Sequence, residues 1–276
     1  MEWWESILLG IVQGLTEFLP VSSSGHLLIF KELLGVEGVE NFWDFTMIVH
    51  LATVLSTIVV FFAEIKTLLK GFFKFKNNDE MDYCLKIGVS MIPVAIVGLF
   101  FKDAIDAAFS GSVVIVGVFL VNTAILLFLS DQITFRRERK GDVENKYRNG
   151  ISYWQAFLVG LGQSFAVAPG LSRSGTTIAV GLMSGVKKSV MAQFSFLMVL
   201  VPIVGEQILS LLGTWGDPGA AAGSGLSFWI LLLAFLSAFL SGLFACKVMI
   251  ALVRKSKLTW FSLYCLAAAL LIFILA

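Results

Sequence analysis

Two polar stretches interrupt an otherwise apolar chain, and between them they hold a carboxylate, an imidazole, a guanidinium and a cluster of hydroxyls. In QGLTEFLPVSSSGH (13–26), Gln13 and Glu17 are four residues apart and share a helical face, as do Ser23 and His26, three apart. A hydroxyl, an imidazole and a carboxylate brought together supply a nucleophile, a proton shuttle and an orienting group. In PGLSRSGTT (169–177), Ser172, Ser174, Thr176 and Thr177 surround Arg173, and Gly170 and Gly175 let backbone approach a ligand closely. An arginine inside an apolar layer is costly unless it faces an anion or a carboxylate. With helix N-terminal N–H groups beside it, an arginine fork makes a phosphate cradle. The spacing is not that of a P-loop, since GxxxxGK[ST] is absent. The competing reading is a buried Arg173–Glu17 ion pair that only ties the two stretches together, a role that would not require four hydroxyls.

The two stretches are copies of each other, offset by 150 residues. Trp4, Leu8, Gly10, Gln13, Ser22, Ser24, Gly25, Gly35, Val36 and Val49 recur as Trp154, Leu158, Gly160, Gln163, Ser172, Ser174, Gly175, Gly185, Val186 and Val199. A duplicated membrane domain whose halves face each other across one polar site gives this pattern. The differences divide the chemistry: Glu17 is matched by Val167, Ser23 by Arg173, and His26 by Thr176. One copy supplies the carboxylate and imidazole, the other the guanidinium, so the site should be composite. Ser22 and Ser24 read as helix caps as well as diphosphate contacts together with Gly25. Ser23, the counterpart of Arg173, is the reactive candidate. His50, the other histidine, stands in an apolar span without comparable company and reads as structural.

The elements that must position these residues follow from hydropathy. Of the 276 residues, 58% are hydrophobic and 14% charged, with a mean hydropathy of +0.89, which fits an integral membrane protein and no nucleic-acid module. Six apolar stretches, 45–63, 84–101, 112–130, 193–212, 227–247 and 258–276, are long enough to cross a bilayer. Regions 3–34 and 152–185 are apolar too, but Pro20 and Pro169 with the serine clusters divide each into halves of about 12 to 15 residues, too short to span. They read as re-entrant helix–loop–helix hairpins whose loops line a polar cavity. Two kinked full-length helices are the simpler alternative.

Charge placement orients this arrangement. If the hairpins return to their own side, 17 of the 20 basic residues fall on one face, in the 64–86 and 131–150 loops, at Lys187 and Lys188, and in 247–257. The positive-inside rule makes that face cytoplasmic and puts both termini outside. Tryptophans 3, 4, 43, 215 and 229 then mark the outer interface, and 154 and 260 the inner one. The expected fold is an all-α polytopic membrane protein with six transmembrane helices and two re-entrant hairpins in an inverted-topology repeat. Its halves run over about 1–130 and 151–276, joined by a cytoplasmic loop at 131–150. Cys84, Cys246 and Cys265 are odd in number and widely spaced in apolar runs, and read as buried thiols. Thr123 and Asn122 read as interhelical hydrogen-bonding residues, and Gly98, Ala234, Ser237, Ala238, Ser241 and Gly242 as close-packing positions.

The paired motifs QGLTEFLPVSSSGH and PGLSRSGTT, with the length and span pattern, resemble the undecaprenyl-diphosphate phosphatase family, also called bacitracin resistance proteins. The resemblance covers essentially the whole chain. It implies hydrolysis of a C55 polyprenyl diphosphate to the monophosphate in the bacterial cell membrane, recycling the lipid carrier for peptidoglycan synthesis and conferring bacitracin resistance. The family's functional residues fall on Gln13, Glu17, Ser23 and His26, and on Ser172, Arg173, Ser174 and Thr177. Gln13 stands where some members carry Glu, so a divalent cation such as Mg²⁺ or Ca²⁺ would find a single carboxylate there, Glu17. Two mechanisms fit the residues: attack by Ser23 through a phosphoserine, or attack by water activated by Glu17 or His26. A polyprenyl-phosphate flippase or anion transporter is the rival from another class, since inverted repeats with broken helices also build carriers.

Overall fold

The computed structural model describes residues 1–36, 42–101, 104–105, 113–140, 147–168, 170–214, 226–255 and 257–275. Helices α1 (Trp3–Thr16) and α2 (Ser23–Leu34) form the first hairpin. They are followed by α3 (Phe42–Val60), α4 (Phe62–Phe72), α5 (Asp79–Phe100) and α6 (Val113–Lys140). After a 3₁₀ turn at Arg148–Gly150, α7 (Tyr153–Phe165) and α8 (Arg173–Met183) form the second hairpin, and α9 (Lys188–Thr214), α10 (Phe228–Lys255) and α11 (Thr259–Leu275) complete the chain. Every regular element among the described residues is helical, as expected for a polytopic membrane protein.

Helices α5, α6, α9 and α10 contain segments long and apolar enough to cross a bilayer, and α11 is apolar but shorter, over Thr259–Ile274. The remaining expected span departs from its reading. Helix α3 stops at Val60 and α4 leaves it at 75°, so the expected 45–63 span ends early and 64–72, the start of the expected 64–86 loop, is helical. Exposed Lys66 and Lys70 on α4 suit an interfacial helix. Helix α6 also runs past 130 to Lys140, so the first half of the expected 131–150 loop is helix. Asp131 and Thr134 are buried there, the Thr259 hydroxyl donates to Asp131 at 2.7 Å, and Arg137, Arg139 and Lys140 lie in the last turn, where cations favour the helix dipole.

Both hairpins are broken outright, with residues 17–22, and 166–168 and 170–172, outside regular helix. Pro20 lies in the first break; Pro169 falls outside the described residues. The halves contain 14 and 12 residues in the first hairpin, and 13 and 11 in the second. In each hairpin the two halves pack on each other. Local details repeat as the sequences do. The N–H of Glu2 donates to Glu5 at 2.6 Å, and that of Ser152 to Gln155 at 2.9 Å. Ser22 and Ser172 cap α2 and α8 by accepting from the N–H groups of Gly25 and Gly175. Both hairpins end at a left-handed glycine, Gly35 (φ 60°) and Gly185 (φ 98°), followed by 6→1 bonds from Val36 to Lys31 and from Val186 to Gly181.

Packing crosses between the halves. Helix α1 lies chiefly on α10 and α7 on α5, while α6 packs against α8 and α11. Small residues make this possible. A Cβ at Gly10 would sit 2.5 Å from the Ala234 carbonyl oxygen, one at Gly14 2.5 Å from that of Ala238, and one at Gly160 2.0 Å from that of Ser90. Gly242 has a similar role against Ser56, whereas Gly98 meets nothing within 4 Å and is not a packing position. A polar latch fixes the chain entering the second hairpin: buried Lys86 donates to Asp82 (2.6 Å) and to the Arg148 carbonyl (2.7 Å), and Asn149 and Tyr153 also donate to Asp82. Cys246 and Cys265 are buried and Cys84 partly so, all three as free thiols. Trp3, Trp4, Trp154, Trp229 and Trp260 are exposed, as an aromatic belt requires; the Trp43 side chain and Trp215 fall outside the described residues.

These contacts generate a stability prediction. Gly10→Val and Gly14→Val should each lower the unfolding temperature of the purified protein by about 5 °C or more, because backbone as well as a serine side chain blocks the new atoms, and the backbone cannot move aside. Gly98→Ala should be neutral or raise it, since helix propensity alone favours alanine. Equal tolerance of all three in a thermal unfolding scan would contradict the close α1–α10 contact.

Candidate active site

The two breaks meet. The Ser174 hydroxyl donates to the Leu19 carbonyl at 3.1 Å, the Gly170 N–H donates to Ser24 Oγ at 3.4 Å, and a Cβ on Gly175 would lie 3.3 Å from the Pro20 oxygen. Neighbouring helices complete the scaffold. The Ser172 N–H donates to Thr123 on α6 (3.1 Å), and Cys265 on α11 donates to the Pro20 carbonyl at 3.6 Å. Val116 of α6 wedges between the loops, where Gly170 (φ 94°) could not carry a side chain: its Cβ would stand 2.8 Å from Val116 Cα. Ser22 holds φ at 69°, an uncommon value for a residue with a side chain, of the kind found where function fixes the backbone.

This juxtaposition aims the N-termini of α2 and α8 at one place. Among the described residues, the N–H groups of Ser23, Ser24, Arg173 and Ser174 have no acceptor, because the first-turn bonds begin at Gly25 and Gly175. Their partial positive charge is reinforced by Arg173, half-buried, whose guanidinium makes no hydrogen bond or ion pair among the described residues. Arg173 is within Coulombic range of Glu17 but is not bonded to it, so the tie between the hairpins considered from sequence is not formed.

Glu17 is occupied instead by its own half. The Ser23 hydroxyl donates to Oε2 at 2.6 Å, Gln13 Nε2 donates to the same oxygen at 2.9 Å, and His50 Nε2 stands 3.6 Å from it. Oε1 has no partner among the described residues. Gln13 is wholly buried, and its own Oε1 is likewise unpartnered. The serine hydroxyl thus rests against a carboxylate able to take its proton. His50, read from sequence as structural, lines the Glu17 pocket from α3, its Nδ1 2.8 Å from the Thr46 carbonyl. A bond of that ring nitrogen to a carbonyl makes it the donor, so Nε2 carries a hydrogen toward Glu17 only when the ring is doubly protonated.

Other expected members occupy different positions. His26 is buried, with Nδ1 2.7 Å from the Ser22 carbonyl and Nε2 2.8 Å from the Tyr264 hydroxyl of α11; no hydrogen bond joins it to Ser23 or Glu17. Thr176 and Thr177 donate back to the Ser172 and Arg173 carbonyls, and Thr177 also meets buried Ser195 at 2.6 Å, so both brace α8. Thr123 makes the interhelical bond expected of it, while Asn122 is exposed and unbonded among the described residues. Tyr264 and Ser195 carried no sequence signal, each being one of several scattered polar residues in a largely apolar helix.

Comparison with known proteins agrees with the geometry. The family model described as bacitracin resistance protein BacA matches residues 6–271. An undecaprenyl-diphosphatase of Bacteroides thetaiotaomicron is 48% identical over 275 residues, covering 99% of this chain and 99% of the relative. One from Bacteroides fragilis is 48% identical over 265 residues (96% and 95%), and one from Methanococcus vannielii 40% over 268 residues (97% and 98%). The chain belongs to the bacitracin resistance protein BacA family.

Proposed function

We propose that the chain hydrolyses undecaprenyl diphosphate, or a closely similar polyprenyl diphosphate, to the monophosphate and inorganic phosphate, recycling the carrier for cell-wall synthesis. The observation that carries this reading is the Ser23 hydroxyl held 2.6 Å from Glu17, opposite an unpaired Arg173 and four free backbone N–H groups. The terminal phosphoryl group sits in that cradle, where preorganised donors stabilise the charge spread over its oxygens. Ser23 transfers its proton to Glu17 and attacks the terminal phosphorus, and the anhydride bond to the bridging oxygen breaks, releasing lipid monophosphate. Glu17 passes that proton to the departing lipid monophosphate, and the freed carboxylate deprotonates the water that cleaves the phosphoserine, returning the Ser23 hydroxyl and releasing inorganic phosphate. Gln13 and His50 hold Glu17 in register, and His26 with Tyr264 fixes the start of α2. A divalent cation would find oxygen donors in Glu17 and the unpartnered Gln13 Oε1, of the hard type that Mg²⁺ and Ca²⁺ take; bound there, it would offset phosphoryl charge. An anion carrier or flippase would use Arg173 and the loops but not a hydroxyl bonded to a carboxylate.

The fold reading that accompanies this function is an inverted repeat. Hairpin one enters from outside, hairpin two from the cytoplasm, and both chain ends lie outside, in the cell membrane. The crossed packing of α1 on α10 and α7 on α5 supports it, as does the charge bias. The diphosphate enters from the outer side, where the hairpin bearing Ser23 and Glu17 begins.

Binding and turnover measured on the same variants test the chemistry. Arg173→Ala should weaken binding of the diphosphate and abolish turnover, and Arg173→Lys should rescue poorly because a point charge lacks the bidentate fork. Ser23→Ala should bind nearly normally but lose about a thousandfold or more in single-turnover rate. His50→Ala should fall between, with a rate loss of about tenfold and little change in binding. A Ser23→Ala enzyme with substantial turnover would leave water as the attacking group. For sidedness, single cysteines at Glu2 and Ser227 in a cysteine-free background should react with an impermeant thiol reagent in intact cells, and one at Lys76 should not. Labelling of Lys76→Cys from outside would overturn the orientation.

A further inference from the structure

At the far end of α8, ten residues and about 15 Å along the helix from Arg173, lies a second cavity, of about 300 Å³. It is walled by the end of α6, the glycine turn after α8 and the start of α9. Three cations line it: Arg137, Lys187 and Lys188. Arg137 lies over Gly185, its Nη1 2.7 Å from where a Cβ would be, so the left-handed glycine that ends α8 also makes room for the guanidinium. Of the three, only Lys188 has an ion-pair partner among the described residues, Asp131 at 3.6 Å. Arg137 and Lys187 have no ion-pair partner among the described residues, and Glu138 is the sole carboxylate in the lining. Ser189 and the first N–H groups of α9, a helix of 27 residues, add hydrogen-bond donors from the same side.

We propose that this cavity is a second phosphate-binding site, separate from the catalytic one, which takes the phosphodiester of an anionic phospholipid headgroup or free inorganic phosphate. An unpaired arginine beside two lysines and a helix N-terminus, in a recess large enough for a headgroup, is a phosphate-recognising set. The exposed Arg136, Arg139 and Lys140 of α6 place the recess at the basic end of the bundle, where an acidic lipid surface would concentrate the ligand. Occupancy would clamp α6, α8 and α9 together and brace, from its far end, the helix whose start carries Arg173. This inference goes beyond hydrolysis and stands independently of it.

The test is thermal unfolding of the full chain in detergent. It is run in an Arg173→Ala background so that phosphate held at the catalytic loops does not contribute. Phosphatidylglycerol added to the micelles should raise the unfolding temperature by about 2–4 °C over phosphatidylcholine. Arg137→Gln combined with Lys187→Gln should remove that rise, while Lys140→Gln, on the same helix but outside the cavity, should keep it. Inorganic phosphate forms the second arm. A rise with phosphate equal to that with phosphatidylglycerol, lost in the same double variant, assigns the site to free anion; a rise with the lipid alone assigns it to a headgroup. Should the double variant fail to fold, native mass spectra of the Arg173→Ala protein should retain phosphatidylglycerol, or phosphate, in preference to phosphatidylcholine. Equal responses to both lipids with none to phosphate, or a response unchanged in the double variant, would overturn the proposal.

Discussion

A helix broken inside an apolar layer leaves backbone groups that neither water nor lipid can satisfy, and the structure depends on how those groups are met. Each break is met largely by the other. Ser174 of the second hairpin satisfies Leu19 of the first, and Ser24 of the first faces the Gly170 N–H of the second. Cys265 and Thr123, from the two helices flanking the loops, take further groups. Separating the halves would strand all of these at a cost of about 1–3 kcal/mol for each unsatisfied group. The glycine contacts of α1 with α10 and of α7 with α5 serve the same requirement, since they hold the hairpins deep enough for their breaks to meet.

The groups left over make the site. Among the described residues, once the serine caps and crossed bonds are made, four N–H groups at the starts of α2 and α8 and the Arg173 guanidinium remain without acceptors, and Arg173 lies within Coulombic range of a carboxylate that already holds a serine hydroxyl. Were Arg173 paired directly with Glu17, the two charges would satisfy each other and little cationic field would remain for a diphosphate. Gln13, Ser23 and His50 provide Glu17 with other neighbours, and among the described residues no hydrogen bond or ion pair joins it to Arg173. The division of labour between the copies thus has a physical basis. Two identical halves would place like charges opposite each other, whereas these place a proton acceptor opposite an anion binder.

Much of this was legible in the sequence. The offset of 150 residues exposed the hairpins, and Arg173 in an apolar setting marked the start of the second hairpin's return helix as unusual. Proline with serine clusters located both breaks to within a few residues. What escaped depended on tertiary placement. His50 is one polar residue in a long apolar run, and only the approach of α3 to α1 brings it to Glu17. Spacing put His26 on the face of Ser23, but a carbonyl at Ser22 and a hydroxyl 238 residues away at Tyr264 claim both ring nitrogens. The bend at Phe61 and the helical extension to Lys140 were hidden as well, because amphipathic and charged segments read as loops when the surface they lie on is unknown.

The central claim is that a hydroxyl from one half and a guanidinium from the other act on the same phosphoryl group. A double-mutant cycle in single-turnover rate, using Ser23→Ala, Arg173→Lys and the pair, tests it most directly. If both residues serve one transition state, the double variant should be little slower than Ser23→Ala alone, because residues that act as a unit are strongly non-additive. If the two losses multiply in full, Ser23 and Arg173 act independently and the composite site is contradicted.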